Sequence, residues 1–230
     1  MAPGVASAYG IGPTTPGKWG GPVFGTGADV TYSFMSGGQA CEVPTTCASL
    51  SGFMPTGFEA EIEKAFDAWA TVANLTFSEV VDDGSDFNDS TSSGDIRFAG
   101  HFFDGNLGVL AHGYFPPVNG LSAAGDVHFD SDEVWKIGLG GPGFDVFTVA
   151  VHEIGHALGL AHEGTEDSIM NPFYSEEFIE LQADDIAAIQ LIYGPALVVV
   201  PVPAAVWLFA SGILGLVGIR KKNALSQLSV

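Results

Sequence analysis

The residues best suited to chemistry lie in one stretch, residues 151–162, which contains the pattern HExxHxxGxxH. His152 and His156 are four residues apart, so on a helix they project from one face, one turn apart, where two imidazoles can bind one metal ion. Glu153 points about 100° away around the helix and can act as a general base on metal-bound water without ligating the metal. The spacing predicts a zinc hydrolase site.

Gly159 and His162 extend this pattern past the helix. A glycine directly after the last turn accepts the left-handed conformation, so we expect the helix to stop at Gly159 and the chain to return His162 as a third ligand. Three neutral imidazoles leave the fourth tetrahedral position of Zn²⁺ open to water, as in catalytic zinc sites. The alternative is a core helix with incidental histidines, which the glycine and the third histidine disfavour.

Composition divides the 230 residues unevenly into one domain with a sizeable core and an appendage. No acidic residue follows Asp185, and three of the seven basic residues form the cluster 220–222. Residues 1–198 therefore carry four basic and 27 acidic residues, a net charge of −23. This charge repels phosphate backbones and disfavours nucleic acid as a partner. Clustered carboxylates also favour hard cations such as Ca²⁺.

Hydrophobic periodicity predicts an α+β domain in which a mixed sheet carries a crossover helix. A capping box of Thr56 and Glu59 begins one helix, which runs through Asn74. Asp145 is the expected N-cap of the helix that delivers His152 and His156. A last helix spans about 183–193, and short strands are expected at residues 30–34, 75–81, 95–99, 109–115 and 126–129.

Cys41 and Cys47 lie in one loop after the first predicted strand. They can close a small ring, which suits an oxidising compartment. Two free thiols are the alternative reading of the same residues.

The two ends of the chain differ from its centre. Residues 1–16 form a Gly/Pro-rich arm without a basic n-region or an apolar h-region, so this numbering shows no signal peptide. Residues 195–203 form a Pro-containing linker, 204–222 an apolar segment with a basic cluster, and 223–230 a short tail. We interpret 204–222 as one transmembrane helix, with the domain on the outer side of the membrane; a buried core helix is the alternative.

With its HExxHxxGxxH motif, the chain resembles the metzincin metalloendopeptidases, whose second signature is a methionine turn below the metal. Met170, in the run Ser-Ile-Met-Asn-Pro, matches that turn. Residues 17–194 resemble the catalytic domain of matrixins, in the opening run 18–20 and in the closing run 184–194. The resemblance implies a twisted mixed sheet with a backing helix, an active-site helix and a C-terminal helix. Pro172 stands where astacins and serralysins have tyrosine, which favours matrixins.

The matrixin resemblance also implies substrate-binding residues. The stretch matching Pro172, Phe173 and Tyr174 borders the pocket for the substrate residue just after the scissile bond. The strand matching Leu110 and Ala111 pairs with an extended substrate, an instance of β-augmentation.

Structural metals follow from the same resemblance. His112 and His128 match the second and third histidines of a structural zinc site, and carboxylates of calcium sites match Asp104, Asp126, Asp130 and Glu133. The loop that supplies the family's first zinc histidine and its aspartate is shorter here. His101 is the candidate replacement, in which case Asp104 would serve zinc instead of calcium. Ordinary hydrogen-bonded surface histidines are the alternative.

The C-terminal segment is similar to bacterial PEP-CTERM-type sorting signals of the Val-Pro-x-Pro-Ala variety, which implies processing by an exosortase. It departs from them by a valine at Val200, where glutamate is commonest, and by the extra residues 223–230. No cysteine-switch propeptide of the PRCGxPD kind is present in the sequence.

These observations predict a zinc-dependent endopeptidase of the cell envelope or a secreted one, acting on extracytoplasmic proteins. His152, His156 and His162 would hold Zn²⁺, and Glu153 would act as the general base. Two alternatives belong to other classes: a cell-envelope adhesion or binding module that keeps its metals without turnover, and a small membrane-anchored structural protein. An intact Glu153 argues against the binding module.

Overall fold

The computed structural model describes residues 11–13, 17–41, 44–89, 93–117, 122–164 and 167–197. Three α-helices lie in this part of the chain: α1 (Phe58–Val72), α2 (Val146–Ala157) and α3 (Ala183–Tyr193). The strands are β1 (Ala28–Phe34), β2 (Leu75–Glu79), β3 (Ile96–His101), β4 (Ala111–Gly113), β5 (Val127–Asp130), β6 (Trp135–Lys136) and β7 (Phe144–Asp145).

The main sheet has five strands in the order β2-β1-β3-β5-β4. All neighbouring pairs are parallel except β4, which runs antiparallel to β5 at one edge. The parallel pairing of β1 with β2 requires a crossover, which α1 supplies. The mixed sheet and the three helices expected from the sequence are therefore confirmed.

Helix α1 buries one face against the sheet and α2. Its apolar residues recur at helical spacing, and Phe58, Ile62, Phe66 and Trp69 are all at most 5% exposed. The Trp69 indole N–H donates to the Val151 carbonyl of α2 at 3.1 Å, which fixes the two helices against each other.

The ends of α1 differ from the predicted ones. The N-cap is Gly57, at φ 95°, and no side chain caps it, so the predicted capping box of Thr56 and Glu59 is wrong. A left-handed residue suits glycine, and it places Thr56 one residue outside the cap position. The helix ends at Val72 because Ala73 is already extended before β2.

Strand β4 is shorter than the predicted strand 109–115, since only Ala111–Gly113 pair with β5. Before it, the Val109 N–H donates to the carboxylate of Asp104 at 3.1 Å and belongs to that loop. After it, the backbone of Tyr114 bonds to Asp126 and Gly125.

The loop after β1 carries a disulfide between Cys41 and Cys47, so the ring form of the two sequence alternatives is the one observed. The loop is joined to the sheet by Ala48 and Gly100, whose backbone groups exchange hydrogen bonds of 2.6 and 2.9 Å. Gly100 precedes His101 at the end of β3, which places the disulfide beside that histidine.

The predicted transmembrane segment 204–222 and the tail 223–230 lie outside the described residues, as do residues 1–10 and 14–16 of the arm. Within the described ranges, no helix is both long and apolar enough to cross a membrane.

A buried ion pair fixes the long acidic loop to the sheet. The Arg97 guanidinium of β3, 1% exposed, donates to both carboxylate oxygens of Asp82 at 2.9 and 3.1 Å. Burial alone would raise the pKa of Asp82, but the hydrogen bonds from Arg97, Gly84 and Ser33 and the charge of Arg97 together outweigh burial and lower the pKa below its ordinary value. The ion pair therefore stabilises the folded domain at pH values above the pKa that Asp82 has in the unfolded chain. This stabilisation is lost as the pH falls through the lower pKa that Asp82 has in the folded domain.

We expect Asp82→Asn to destabilise the domain by about 3–5 kcal/mol at neutral pH, because it leaves the Arg97 charge buried and unpaired. Glu61→Gln is the matched control, since Glu61 pairs with Lys64, whose side chain is 60% exposed; its effect should stay below about 1 kcal/mol. Denaturant unfolding measures both, and equal small effects would contradict the role given to the buried pair.

Candidate metal centre and substrate cleft

Helix α2 carries the first two histidines of the motif and is capped as predicted. The Asp145 carboxylate accepts hydrogen bonds from the Thr148 N–H at 3.0 Å and from its hydroxyl at 2.8 Å. The helix ends at Ala157, and Gly159 takes a φ of 109°, as the sequence predicted for the chain reversal. A Cβ at Gly159 would clash with the Gly17 carbonyl, so the turn requires glycine.

The reversal brings His162 to His152 and His156. One ring nitrogen from each of the three lies within 4.8 Å of the others. The Nε2 atoms of His152 and His162 are only 3.2 Å apart. Two imidazole nitrogens bound to one tetrahedral Zn²⁺ at 2.0–2.1 Å would lie about 3.3 Å apart, so these atoms converge as ligands of one ion do.

The other ring nitrogens are held by the backbone. His152 Nδ1 lies 2.7 Å from the Ile169 carbonyl, and His156 Nδ1 lies 2.7 Å from the Leu160 carbonyl. A carbonyl only accepts, so both Nδ1 atoms are protonated and both Nε2 atoms carry a lone pair. Metal-binding histidines are oriented in this way. The residues present therefore fit a zinc ion, with His152, His156 and His162 as its holders.

Burial keeps the imidazoles neutral. It lowers the pKa of His152 to about 4 and that of His156 to about 3, and it lowers the pKa of His162 as well. The neighbouring imidazoles act in the same direction on His152 and His156, while the carbonyl partners act against it. Neutral imidazole is the form that ligates a metal, so the three residues are ready to bind at neutral pH.

Glu153 is buried on the same helix, at 5% exposure, and borders the same cleft. Burial raises its pKa to about 8, and a hydrogen bond from the Gly113 backbone N–H partly opposes the rise. Its Oε2 has no hydrogen-bond partner within the described protein. A cation held by the three imidazoles would favour the carboxylate form.

The predicted methionine turn lies directly under α2. Met170 is 2% exposed, and a Cβ at Gly155 of α2 would clash with its sulfur. The Asp185 carboxylate fixes the turn by accepting bonds from the Ser168 hydroxyl at 2.6 Å and the Ile169 N–H at 3.0 Å. This turn also supplies the Ile169 carbonyl that orients His152.

A cleft of about 800 Å³ opens beside the histidines. The sequence-predicted substrate residues all border it, together with His152, His162 and Glu153: Leu110, Ala111, Pro172, Phe173 and Tyr174. The Tyr174 hydroxyl accepts a 3.0 Å hydrogen bond from the Asp145 N–H and lies 3.1 Å from the Glu176 carboxylate, which Lys136 contacts at 2.6 Å. These bonds tie the loop after the methionine turn to the start of α2.

A second histidine cluster lies on the sheet, with one histidine in each of β3, β4 and β5. The rings of His101, His112 and His128 have centroids 5.2 to 5.7 Å apart, so the structure brings the three together. His101 and His128 are 6% and 0% exposed, and neither Nε2 has a hydrogen-bond partner. These are buried histidines, so the reading as ordinary surface residues is wrong for both.

The four carboxylates expected at calcium sites lie in different settings. Asp104 is exposed and accepts a bond from Val109. Asp130 and Glu133 are buried, and each has one carboxylate oxygen without a hydrogen-bond partner. Neither carboxylate oxygen of Asp126 has a side-chain hydrogen-bond partner within the part of the chain that the structure describes. Burial raises the pKa of Asp126 well above its ordinary value, although Arg97 opposes the rise. Among the described residues, none of the four belongs to a group with converging ligand atoms.

Comparison with protein families gives a match to the matrixin profile over residues 48–194, more than half of the chain. The chain belongs to the matrixin family. Matrixins are zinc metalloendopeptidases, and membership in this family agrees with a three-histidine group that could hold a metal ion. It also agrees with the mixed sheet, the three helices and the histidine site described above.

Individual relatives cover the same region. Matrix metalloproteinase-16 of Homo sapiens is 47% identical over 150 residues, in a match that covers 58% of this chain and 23% of that protein. Karilysin of Tannerella forsythia is 39% identical over 152 residues, 64% of this chain and 30% of that protein. Matrix metalloproteinase-20 of Homo sapiens is 35% identical over 171 residues, in a match that covers 71% of this chain and 34% of that protein. The chain thus spans about a quarter to a third of the length of these curated relatives.

Two residues of the site were not assigned a role by sequence reasoning. Asp185 entered the sequence analysis only as part of the closing run 184–194. In the structure, Asp185 caps α3 and holds the methionine turn. Its place at the third position of α3 is a capping signal that could have identified the first of these roles. Gly113 lacks any sequence signal for its contact with Glu153, because the two residues meet only through the packing of β4 on α2.

We expect zinc at the three-histidine site to stay bound as the pH falls from about 7 to about 5 and to be lost as it falls through about 4. The reason is that the pKa values of His152 and His156 are lowered, so protons compete with the metal only in strong acid. Zinc content after equilibration at each pH measures this, with circular dichroism as the control for unfolding. Release centred near about 6.5, the ordinary imidazole pKa, would contradict it.

Proposed function

We propose that this matrixin is a zinc endopeptidase in which His152, His156 and His162 hold the ion and Glu153 is the general base. The observation that carries the proposal is the convergence of three neutral imidazoles, two of which, His152 and His162, border the same cleft as the buried Glu153 carboxylate. Bound zinc supplies a Lewis acid that lowers the pKa of water to about 7 and polarises a carbonyl. The names of the relatives, which are metalloproteinases, agree with this.

Glu153 moves the proton in this proposal. Its carboxylate accepts a proton from a water molecule in the cleft and returns it to the amine nitrogen of the leaving peptide. A cation held by the three imidazoles would keep Glu153 in the carboxylate form that accepts a proton, and the Gly113 N–H holds the carboxylate in place during both transfers. Met170 takes no part in the proton transfers; it packs under α2.

The substrate we propose is an extended peptide or unfolded protein segment. Strand β4 is at the sheet edge and borders the cleft through Ala111, so one of its sides can pair with a substrate backbone. The pocket bordered by Pro172, Phe173 and Tyr174 would receive the side chain after the scissile bond. Its size and largely apolar surroundings suit a large apolar side chain.

We also propose structural metals, supported by the buried His101 and His128, whose Nε2 atoms lack hydrogen-bond partners, and by buried carboxylate oxygens that also lack them. A second zinc ion would bind at the cluster of His101, His112 and His128. Calcium would be held by carboxylates in or next to β5, because buried oxygens without partners suit a hard cation, as at Asp126, Asp130 and Glu133; the exposed Asp104 is the fourth candidate. Metal analysis of the purified full chain should give two zinc ions and at least one calcium ion, and a single zinc without calcium would refute this.

For location, we propose that the chain acts outside the cytoplasm and that residues 204–222 anchor it in the membrane, at least until an exosortase-type enzyme processes it. The apolar composition of the segment and the basic cluster at 220–222 support this proposal. A disulfide between Cys41 and Cys47 also agrees with an oxidising compartment.

Glu153→Gln in the full chain should lower the rate of casein cleavage by at least about 100-fold, because general acid–base catalysis of this kind contributes about 10²–10⁴. Zinc content should stay the same, since Glu153 is not a ligand in this proposal. The matched control is Glu59→Gln, which changes an exposed carboxyl on α1 and should leave both quantities unchanged.

Two results would count against the assignment. Full activity in Glu153→Gln would remove Glu153 as the base. A zinc-loaded wild-type chain that cleaves neither casein nor a library of extended peptides would favour the binding module without turnover.

Leu214→Lys should move the expressed full chain from the membrane fraction to the soluble fraction, because a lysine within an apolar span costs about 2.5–3.5 kcal/mol. Leu225→Lys is the control, since residue 225 follows the basic cluster and should leave fractionation unchanged. Wild type recovered wholly in the soluble fraction without loss of residues 204–230 would refute the anchor.

A further inference from the structure

The Cys41–Cys47 disulfide lies against the second histidine cluster. Cys41 Sγ is 3.8 Å from His128 Nδ1. One ligand atom each from Cys41, His101 and His128 lies within 4.8 Å of the other two. All three residues are buried, with exposures of 4%, 6% and 0%. Sulfur and imidazole nitrogen are the donors that zinc and its neighbours in the periodic table prefer.

The histidines of this pocket are prepared for a ligand role. His101 Nδ1 lies 3.0 Å from the Phe102 carbonyl, which leaves Nε2 with the lone pair, and that buried Nε2 has no hydrogen-bond partner. Burial is the main cause that lowers the pKa of His128 well below its ordinary value, and the nearby His112 and His101 lower it further. The His128 ring is therefore neutral. The His112 ring lies 5.2 Å from that of His128.

Cys41 cannot act as a thiolate ligand while it is bonded to Cys47, because a disulfide sulfur carries no charge. Its position does not depend on the disulfide alone. The Cys41 N–H donates to the Thr45 carbonyl at 3.1 Å, and the N–H of the preceding Ala40 donates to the Asp86 carboxylate at 2.7 Å. The bonds between Ala48 and Gly100 then tie the loop to β3.

Asp104, the carboxylate that the sequence offered as a further zinc ligand, is less well placed. Its side chain is exposed and accepts from Val109 in its own loop. Among the described residues, the candidate metal-binding group beside His101 and His128 contains Cys41 instead of Asp104. In a tetrahedral site with zinc bonds of 2.3 Å to sulfur and 2.0–2.1 Å to nitrogen, these two atoms lie about 3.6 Å apart, close to the observed 3.8 Å.

We propose that reduction of the Cys41–Cys47 disulfide converts this pocket into a thiolate–imidazole site for Zn²⁺, with Cys41, His101 and His128 as ligands and His112 beside them. A dithiol reductant supplies two electrons and two protons, the S–S bond breaks, two thiols form, and the reductant becomes a disulfide. The Cys41 thiol then releases its proton to solvent as the sulfur–metal bond forms. The disulfide and the thiolate site are mutually exclusive states of one sulfur atom.

Cobalt(II) tests this in the full chain, because thiolate ligation adds a charge-transfer absorption in the near ultraviolet that imidazole ligation lacks. The three-histidine site at the cleft contains no sulfur, so it adds nothing to that band. We expect the band in wild type only after treatment with a phosphine reductant. Cys47→Ser should show it without any reductant, and Cys41→Ser, the matched control, should lack it under both conditions.

Zinc competition provides a second measurement. We expect zinc to bind at this site at least about 10-fold more tightly in reduced than in oxidised wild type. Loss of a residue that merely orients a metal ligand already costs about 10-fold in affinity, so gain of a ligand should contribute at least as much. Absence of the band in both reduced wild type and Cys47→Ser would overturn the proposal, as would its persistence in Cys41→Ser, which would make Cys47 the ligand. If Cys47→Ser fails to fold by circular dichroism, reduced wild type decides alone. Neither readout depends on peptide hydrolysis.

Discussion

The site depends on the close approach of helix α2 to strand β4 on one side and to the methionine turn on the other. A side chain at Gly113 would clash with the backbone carbonyl of Glu153, and one at Gly155 would clash with the sulfur of Met170. Because both positions are glycine, the helix lies directly against both neighbours. The same approach brings the Gly113 N–H to the Glu153 carboxylate. One packing constraint thus sets the position of the base and of the histidine helix together.

Buried carboxylates hold the surrounding loops to this helix. Asp145 caps the start of α2, and Asp185 fixes the methionine turn through two hydrogen bonds, from Ser168 and Ile169, and accepts a third from the Gln182 N–H at the start of α3. Hydrogen bonds to charged groups contribute about 1.5–3 kcal/mol each, and a buried carboxylate that loses its donors is destabilising. The Ile169 carbonyl, which orients the His152 ring, is therefore positioned by Asp185 of α3. In this way the last helix of the domain helps to orient His152.

The two histidine clusters arise in different ways. His152 and His156 belong to one helix and His162 to the reversal that follows it, so their convergence is a local property of the chain. His101, His112 and His128 come from three neighbouring strands, β3, β4 and β5. Strand pairing sets their separation: His112 lies opposite His128 in the antiparallel pair, and β3 runs parallel to β5. The second cluster therefore exists only when the sheet is formed.

The sequence by itself determined the metal helix, its N-cap at Asp145, the reversal at Gly159 and the last helix, because each follows from helical spacing or from the conformational preference of one residue. It also indicated a mixed sheet, but its strand ends differ by up to two residues from those of β1 to β5, and its cap for α1 is wrong. Only the tertiary structure decided that Cys41 pairs with Cys47 beside His128, that Asp185 holds the methionine turn, and that Gly113 contacts Glu153. Cys41 and His128 are 87 residues apart, and no local periodicity encodes a contact that forms only when distant strands pair.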